Sequence, residues 1–440
     1  MKKHYLSFKS GLLIAVGLLL FTSSQAQLPA KVLVGYWHNW NSLRVKDVDP
    51  RYNVIMLSFL EADKDGNTQN NVVGDLEFTP YSKSQLKADI PVVQAKGKKV
   101  LISIGGANGS FKLNSTADKD TYVSKVKAFI QEYGVDGIDL DLEQKVYVKM
   151  SSGTMANPAT HIQLMIDGTK ELLSWYQSTY GKKMLLTMAP ECLYVQGGLS
   201  KWADAGGSWL PVIEQLRDDL DLLMVQLYNT GDMYDLDGVV RAQGNATFIV
   251  AMTEAVIRGF THVLGWGDYS GLPASKVAVA LPSCSSAAGG GVVSSTDMVA
   301  AMKYLQGTGP KAGSYTLKKL SGYPDLRGLM TWSINNDQST SCGGASYSFA
   351  DAAEQAIGTI GVEEVKKAVA FTVFPNPATS TITVQQKNTS ASVMQIVDNQ
   401  GKVVFTSTLT AASTTVDVSP LATGFYAVVM NGTTQKLLIK

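Results

Sequence analysis

Cysteine and histidine are scarce in this chain, three and four residues among 440. Cys192, Cys284 and Cys342 match no zinc-binding spacing, and His4, His38, His161 and His262 are scattered, so no metal or other cofactor is expected. Charged residues make up only 17% of the chain, its formal net charge is +1, and no run of one sign occurs. A nucleic-acid or anionic-membrane partner would leave such a run, so neither is expected. Long apolar stretches are missing too, apart from the first 26 residues. There Lys2, Lys3 and Lys9 precede an apolar stretch, Leu12 to Phe21, and Ser24-Gln25-Ala26 supplies a small-residue exit. This is the pattern of a secretory signal peptide, because about eleven apolar residues cannot cross roughly 30 Å of hydrocarbon. Its removal takes three lysines and moves the net charge from +1 to −2, with no integral membrane segment left. The loop Gly105-Gly106-Ala107-Asn108-Gly109 lacks the G-x-G-x-x-G spacing of a dinucleotide-binding turn.

What the chain does have is apolar residues, 45% of the total, enough for a large core. Eight β-branched apolar runs recur between residues 31 and 334: Val32–Tyr36, Val54–Phe59, Val100–Ile104, Ile138–Leu142, Met184–Met188, Leu222–Tyr228, Val277–Leu281 and Leu329–Ile334. Amphipathic segments such as Tyr122–Tyr133 and His161–Tyr180 separate them, which indicates βα repeats and a parallel sheet. Eight such units predict an α/β fold, a (β/α)8 TIM barrel over residues 27–360, in preference to a doubly wound sheet. Residues 361–370, with Glu363-Glu364 and Lys366-Lys367, read as a linker. Residues 371–440 change to short Thr- and Ser-rich alternating runs and predict a small all-β sandwich.

The octet Asp-Gly-Ile-Asp-Leu-Asp-Leu-Glu at residues 136–143 carries the strongest chemical signal. On a strand, Asp139, Asp141 and Glu143 share one face and Ile138, Leu140 and Leu142 the other. Stacked carboxylates raise one another's pKa and stabilise nothing, so such a row points to proton transfer or to a bound metal. In a barrel, catalytic groups gather at the C-terminal strand ends. Tyr36, Glu61, Gly105-Gly106, Met188, Gln226-Tyr228-Asn229 and Trp332 close other runs and are expected to converge on Glu143. Several aromatic residues around one acidic row suit a sugar, whose apolar faces they grip.

With these residues in place, the chain resembles glycoside hydrolase family 18, the chitinase family, over roughly residues 31–345. The family's D-x-x-D-x-D-x-E pattern stands here as Asp136, Asp139, Asp141 and Glu143. Further matches are Ser103-Ile104-Gly105-Gly106, Met188-Ala189-Pro190-Glu191, Met224-Val225-Gln226-Leu227-Tyr228-Asn229 and Met330-Thr331-Trp332-Ser333. The resemblance implies a retaining hydrolase of β-1,4-linked N-acetylglucosamine polymers that works by substrate assistance. Glu143 is then the general acid/base, Asp141 orients the substrate acetamide, Tyr228 hydrogen-bonds it, and Asp139 shares a proton with Asp141. Tyr36, Gly106, Met188, Met224, Gln226, Asn229 and Trp332 are implied substrate-binding residues, with Ser103 and Asp136 in support. Asn335-Asn336-Asp337 departs from relatives that carry a second Trp there.

The segment from Pro282 to Leu326 is too short for the additional α+β subdomain of some chitinases, which favours a shallower groove and endo-type or weakly processive cleavage. The tail resembles the sorting domain of type IX secretion, through Phe374-Pro375-Asn376-Pro377, Leu421-Ala422-Thr423-Gly424-Phe425-Tyr426 and the closing Lys436-Leu437-Leu438-Ile439-Lys440. A carbohydrate-binding module is the alternative for the tail, but it holds no Trp and only Tyr426 as tyrosine. The implied partners are chitin or its oligosaccharides and the type IX machinery. The protein is expected to be monomeric and secreted or held at the cell surface after export through the periplasm. Two rival readings stay open: an endo-β-N-acetylglucosaminidase on N-glycans and a non-catalytic chitin-binding lectin. A Cys284–Cys342 disulfide, leaving Cys192 free, is also expected of an exported chain.

Overall fold

The computed structural model describes residues 28–62, 71–143, 149–150, 153–200, 205–340, 345–360, 371–386, 392–398, 402–430 and 433–440. The expected signal peptide and the linker lie outside the described residues. The chain divides into two units, Met1–Gly361 and Val362–Lys440.

The first unit is a barrel of eight parallel strands: β1 Val32–His38, β2 Val54–Leu60, β3 Lys99–Gly105, β4 Gly137–Leu142, β5 Leu185–Met188, β6 Leu222–Leu223, β7 Ala278–Pro282 and β8 Gly328–Trp332. Their order in the sheet is β7-β8-β1-β2-β3-β4-β5-β6. Bridges Leu223–Val277 and Gln226–Ala280 join β6 to β7 and close the ring. The sixth run is therefore regular only at Leu222–Leu223, because beyond it the backbone reaches across to β7 through single bridges. The eighth run stops at Trp332, and a short helix, Ile334–Gln338, starts on a cap in which Ser333 Oγ accepts from Asn336 N.

Alternation along each strand sorts the side chains into two layers. Val32, Val34, Tyr36, Val54, Met56, Leu101, Leu185, Ala189, Leu222, Met224, Ala278, Ala280 and Met330 fill the barrel interior. Leu33, Ile55, Ile102, Ile138, Leu140, Leu186, Met188, Leu223, Val279 and Leu329 face the surrounding helices, in the larger core. Helices such as Thr116–Tyr133 and Thr160–Tyr180 cover that outer layer, each ended by a left-handed glycine, Gly134 and Gly181. Residues 283–327 hold one helix, Ser295–Gln306, and no strand, so no subdomain rises over the strand ends there.

The second unit is an antiparallel sandwich. One sheet has three strands, Phe371–Phe374, Thr381–Gln386 and Ser413–Asp417; the other has four, Ser392–Val397, Val403–Leu409, Gly424–Met430 and Thr433–Ile439. Ile382, Val384 and Val416 from one sheet and Met394, Ile396, Val428, Met430, Leu437 and Ile439 from the other form its separate core.

Candidate active site

Strand β4 carries the acidic row on its inner face, and its neighbours supply the partners by register. Ser103 of β3 and Thr187 of β5 pair with Asp139 on either side. Asp139 is fully buried and accepts three hydroxyls: Tyr36 Oη at 2.7 Å and Ser103 Oγ at 2.7 Å on Oδ2, and Thr187 Oγ1 at 2.6 Å on Oδ1. Burial raises its pKa, and the three donors oppose that rise. Asp141, one step toward the C-terminal end, instead accepts Gln226 Nε2 at 2.9 Å. Asp139 keeps its three hydroxyl donors and acts on Asp141 through its charge, which helps to raise the Asp141 carboxyl.

Asp141 lies beside Gly105, whose φ is +111° and where a Cβ would sit 2.5 Å from the Asp141 carbonyl oxygen. Its carboxyl is raised well above the usual range, first by burial and then by Glu143, Asp139 and Glu191, against the Gln226 bond. Glu143 is half-buried at the strand end, with Oε1 accepting Gln226 Nε2 at 3.1 Å and its backbone N–H donating to Ser110 Oγ at 2.8 Å. Burial, helped by the charge of Glu191, pushes its carboxyl up to about 7. A carboxyl in that range holds a proton near neutral pH and can release it, as a general acid/base requires.

Above the row opens a cavity of about 410 Å³, lined by Asp141, Glu143, Gln226, Tyr228, Asn229 and Tyr36, with Glu61, Asn108 and an aromatic group at its sides. Trp332 stacks on Phe59 with centroids 5.6 Å apart and meets Tyr36 edge-on at 5.8 Å. Trp40, 55% exposed, stacks on His38 at 4.3 Å and extends the aromatic wall outward. Tyr228 is buried, and burial with Asp141 and Glu143 keeps its hydroxyl protonated far above neutral pH, a lasting donor. The loop after β7 supports it: a Cβ at Gly291 would lie 2.5 Å from Tyr228 Cα, and Gly290 N donates to Asn229 Oδ1 at 3.1 Å.

Not every expected residue reaches the cavity. Met188 is a correction: it pairs with Leu140 on the outer face of the barrel and is fully buried against the helices. Met224 faces inward but is fully buried in the interior layer, and Gly106 acts through its missing side chain, since a Cβ would meet the Phe59 ring at 2.9 Å. Asp136 points to the outer face, where Oδ2 accepts Val100 N and Gln94 Nε2, both at 3.0 Å. Asn335 Oδ1 accepts His38 N at 2.8 Å, and Asp337 accepts Tyr52 Oη, Phe349 N and Ala350 N, so the departure from the family pattern at 335–337 is filled by structural bonds.

Phe59, Trp40, Thr187 and Ser110 were not singled out from the sequence, and Glu191 stood there only as the last residue of the Met188-Ala189-Pro190-Glu191 match. Strand parity could have identified Thr187, one residue before Met188. Phe59 could not be found that way: a register irregularity between Leu57 and Leu60 reverses the alternation of β2 and turns Phe59 inward. Cys284 is disulfide-bonded and Cys192 is free and buried, as the expected pairing requires; the partner expected for Cys284, Cys342, lies outside the described residues. Among the described residues no cluster of three or more His, Cys, Asp and Glu side chains could hold a metal ion, and no helix is long and apolar enough to cross a membrane.

Comparison with known proteins places this geometry. Residues 32–284 match the family described as Glycosyl hydrolases family 18, and residues 372–440 match the Secretion system C-terminal sorting domain. The chain is 39% identical over 329 residues to Chitinase Chi52 of Paenibacillus xylanexedens, covering 72% of this chain and 61% of that protein. It is 37% identical over 378 residues to Chitinase ChiA of Flavobacterium johnsoniae, covering 80% of this chain and 24% of that one. It thus spans less than two thirds of either relative. Among solved structures, a family GH18 chitinase from Chromobacterium violaceum superimposes with a TM-score of 0.63 at 31% identity, over 76% of this chain and 85% of that one.

Proposed function

The chain belongs to glycosyl hydrolase family 18, and from that premise we propose that it is an exported chitinase cutting β-1,4 bonds between N-acetylglucosamine units. The observation that carries this reading is Glu143, half-buried at the end of the acidic row, with its carboxyl pushed to about 7 beside Asp141 and Tyr228. In the proposed cycle Glu143 protonates the leaving glycosidic oxygen while the substrate's own acetamide oxygen attacks the anomeric carbon. Asp141 orients the acetamide N–H, and Tyr228 donates to its oxygen. Glu143, now a carboxylate, then takes a proton from the water that opens the cyclic intermediate, with retention at the anomeric centre. Trp332, backed by Phe59 and Tyr36, offers an apolar face to the sugar bound there.

All proposed site residues come from one barrel, so the enzyme is read as a monomer. The short connection at residues 283–327, with one helix and no strand, supports endo-type cleavage. The tail's match to a secretion sorting domain supports release or display at the cell surface. The proposed route is signal-peptide export to the periplasm, followed by type IX secretion. The deciding experiment is proton NMR of fresh products from chitin oligosaccharides of defined length. The β anomer should appear first, and fully deacetylated chitosan should resist cleavage. An initial α product, or rapid chitosan hydrolysis, would rule the mechanism out. Release of glycans from a high-mannose glycoprotein, with chitin oligosaccharides untouched, would instead favour the N-glycan enzyme.

A further inference from the structure

The amide of Gln226 has three acceptors and two protons. Its Nε2 lies 2.9 Å from Asp141 Oδ1, 3.1 Å from Glu143 Oε1 and 2.9 Å from the carbonyl oxygen of Ala189. A primary amide has two N–H groups, so one of the three acceptors always lacks a full bond. The amide's orientation follows from the same three oxygens, since the reversed amide would point a fourth oxygen at them. The Ala189 carbonyl belongs to the backbone after β5 and can neither turn away nor take a proton. It therefore holds one N–H in every state, and the two carboxyls divide the other.

We propose that Gln226 is a positioning residue whose second N–H moves between Asp141 and Glu143, bonding whichever is ionised as the proton of the pair is given up and regained. The proposal rests on the reading of Glu143 as the general acid. In the substrate complex the acetamide N–H adds a second donor to Asp141 and opposes the burial and neighbouring charge that raise its carboxyl. Asp141 is then the anion, Glu143 keeps the proton, and the Gln226 N–H sits on Asp141 at the shorter of the two distances. When Glu143 gives its proton to the leaving oxygen, Asp141 takes the acetamide N–H proton as the ring closes, so Glu143 is left as the one anion of the pair and a small rotation transfers the bond to it. Opening of the intermediate by water reprotonates Glu143, Asp141 hands its proton back to the acetamide nitrogen, and the bond returns to Asp141. Both amide protons are then committed inside the protein, leaving no N–H to donate to a sugar. This replaces the substrate-binding role that the sequence implied for Gln226.

Among the described residues, the other titratable groups around the pair are Asp139 on β4, Glu61 after β2, Glu191 after β5, Tyr194 beyond it, Tyr36 on β1 and Tyr228 after β6. The two tyrosines nearest Asp141 stay protonated across the working range, and Asp139 and Glu191 are negative or neutral. No cation among these groups can replace the amide as stabiliser of the pair. The Gln226 bond opposes the upward displacement of both carboxyls, so its loss should raise both.

The test uses the full chain with Q226M, which keeps the shape and removes the donor, and Q226E, which adds an oxygen and a charge. Both limbs of the kcat/KM pH profile should move to higher pH, by about one unit in Q226M and further in Q226E. Turnover at the optimum should fall about 10- to 100-fold, with KM changed far less, as expected for loss of a charge-assisted hydrogen bond. In the unmodified enzyme with labelled glutamine, one Nε2 proton resonance should follow the titration of Glu143 while its partner stays still. That measurement decides the matter even where a variant folds poorly. A raised KM with both limbs in place would make Gln226 a substrate ligand and overturn the proposal. So would two Nε2 protons that ignore the titration. E143Q in parallel separates the premises: an active E143Q removes the general-acid reading, whereas an inactive E143Q with unmoved Q226M limbs removes only the role given to Gln226.

Discussion

Replacing Glu143 by Gln should make the protein more stable as well as inactive, and the gain should depend on pH. In the unfolded chain this carboxyl titrates near its ordinary value of 4.5, whereas in the folded protein it titrates at about 7. Below pH 4.5 both states hold the proton, and the site takes nothing from stability. Between 4.5 and 7 the unfolded chain releases its proton while the folded one keeps it, so stability falls as pH rises. Above pH 7 the loss is complete: the span from 4.5 to about 7, at about 1.36 kcal/mol per pH unit, is about 3 kcal/mol. The Glu143→Gln amide has no charge to desolvate and can still offer Oε1 to Gln226 Nε2, so the variant escapes that loss and keeps the bond. It also removes the leading charge acting on Asp141. Urea unfolding followed by circular dichroism at pH 4 and pH 8 measures both ends of the window. The variant should match the parent at pH 4 and exceed it by about 2–3 kcal/mol at pH 8, while hydrolysis of chitin oligosaccharides falls at least about 100-fold. Equal stability at pH 8, or the same gain at pH 4, would refute the account of Glu143 as a carboxyl held protonated by its surroundings.

Glu254, fully buried in the helix Ala246–Arg258, accepts Tyr315 Oη, Tyr323 Oη and the backbone N–H groups of Lys318 and Lys319. Glu254→Gln must turn an NH2 toward a backbone donor, so it should cost about 1–3 kcal/mol in denaturant unfolding and leave kcat unchanged. Thiol titration of the denatured, unreduced protein should count one free thiol, that of Cys192, and a count of three would contradict the bonded state of Cys284. Deleting residues 371–440 should leave hydrolysis of soluble oligosaccharides near the full rate, because the sandwich has its own core and every proposed site residue precedes residue 345. In the native host the truncated enzyme should stay in the periplasm; its normal appearance in the medium would remove the sorting role, and lost adsorption to insoluble chitin would make the tail a binding module.

Much of this protein was legible one strand at a time. Periodicity marked the eight barrel strands and the change to short alternating runs in the sandwich, because apolar runs and alternation are local properties of the chain. The acidic row was legible for the same reason: three carboxyls at spacing two share a face on any strand. Parity alone also assigns Met188 to the outer layer, where it is buried. Three things needed the closed barrel. Phe59 enters the cavity only because the register of β2 against β3 breaks after Leu57, and no local pattern announces such a break. Asp139 bonds three hydroxyls because β1, β3 and β5 bring Tyr36, Ser103 and Thr187 to it from about 36 to 103 residues away. Gln226 reaches two carboxyls and a carbonyl at once because the chain after β6 bends toward β7, placing an amide 83 residues from Glu143 beside its oxygen. Sequence determines which residue types lie on which face of a strand. Which faces meet, and therefore which proton each carboxyl keeps, follows from closing eight strands into one ring, where burial and neighbouring charge act across long sequence separations.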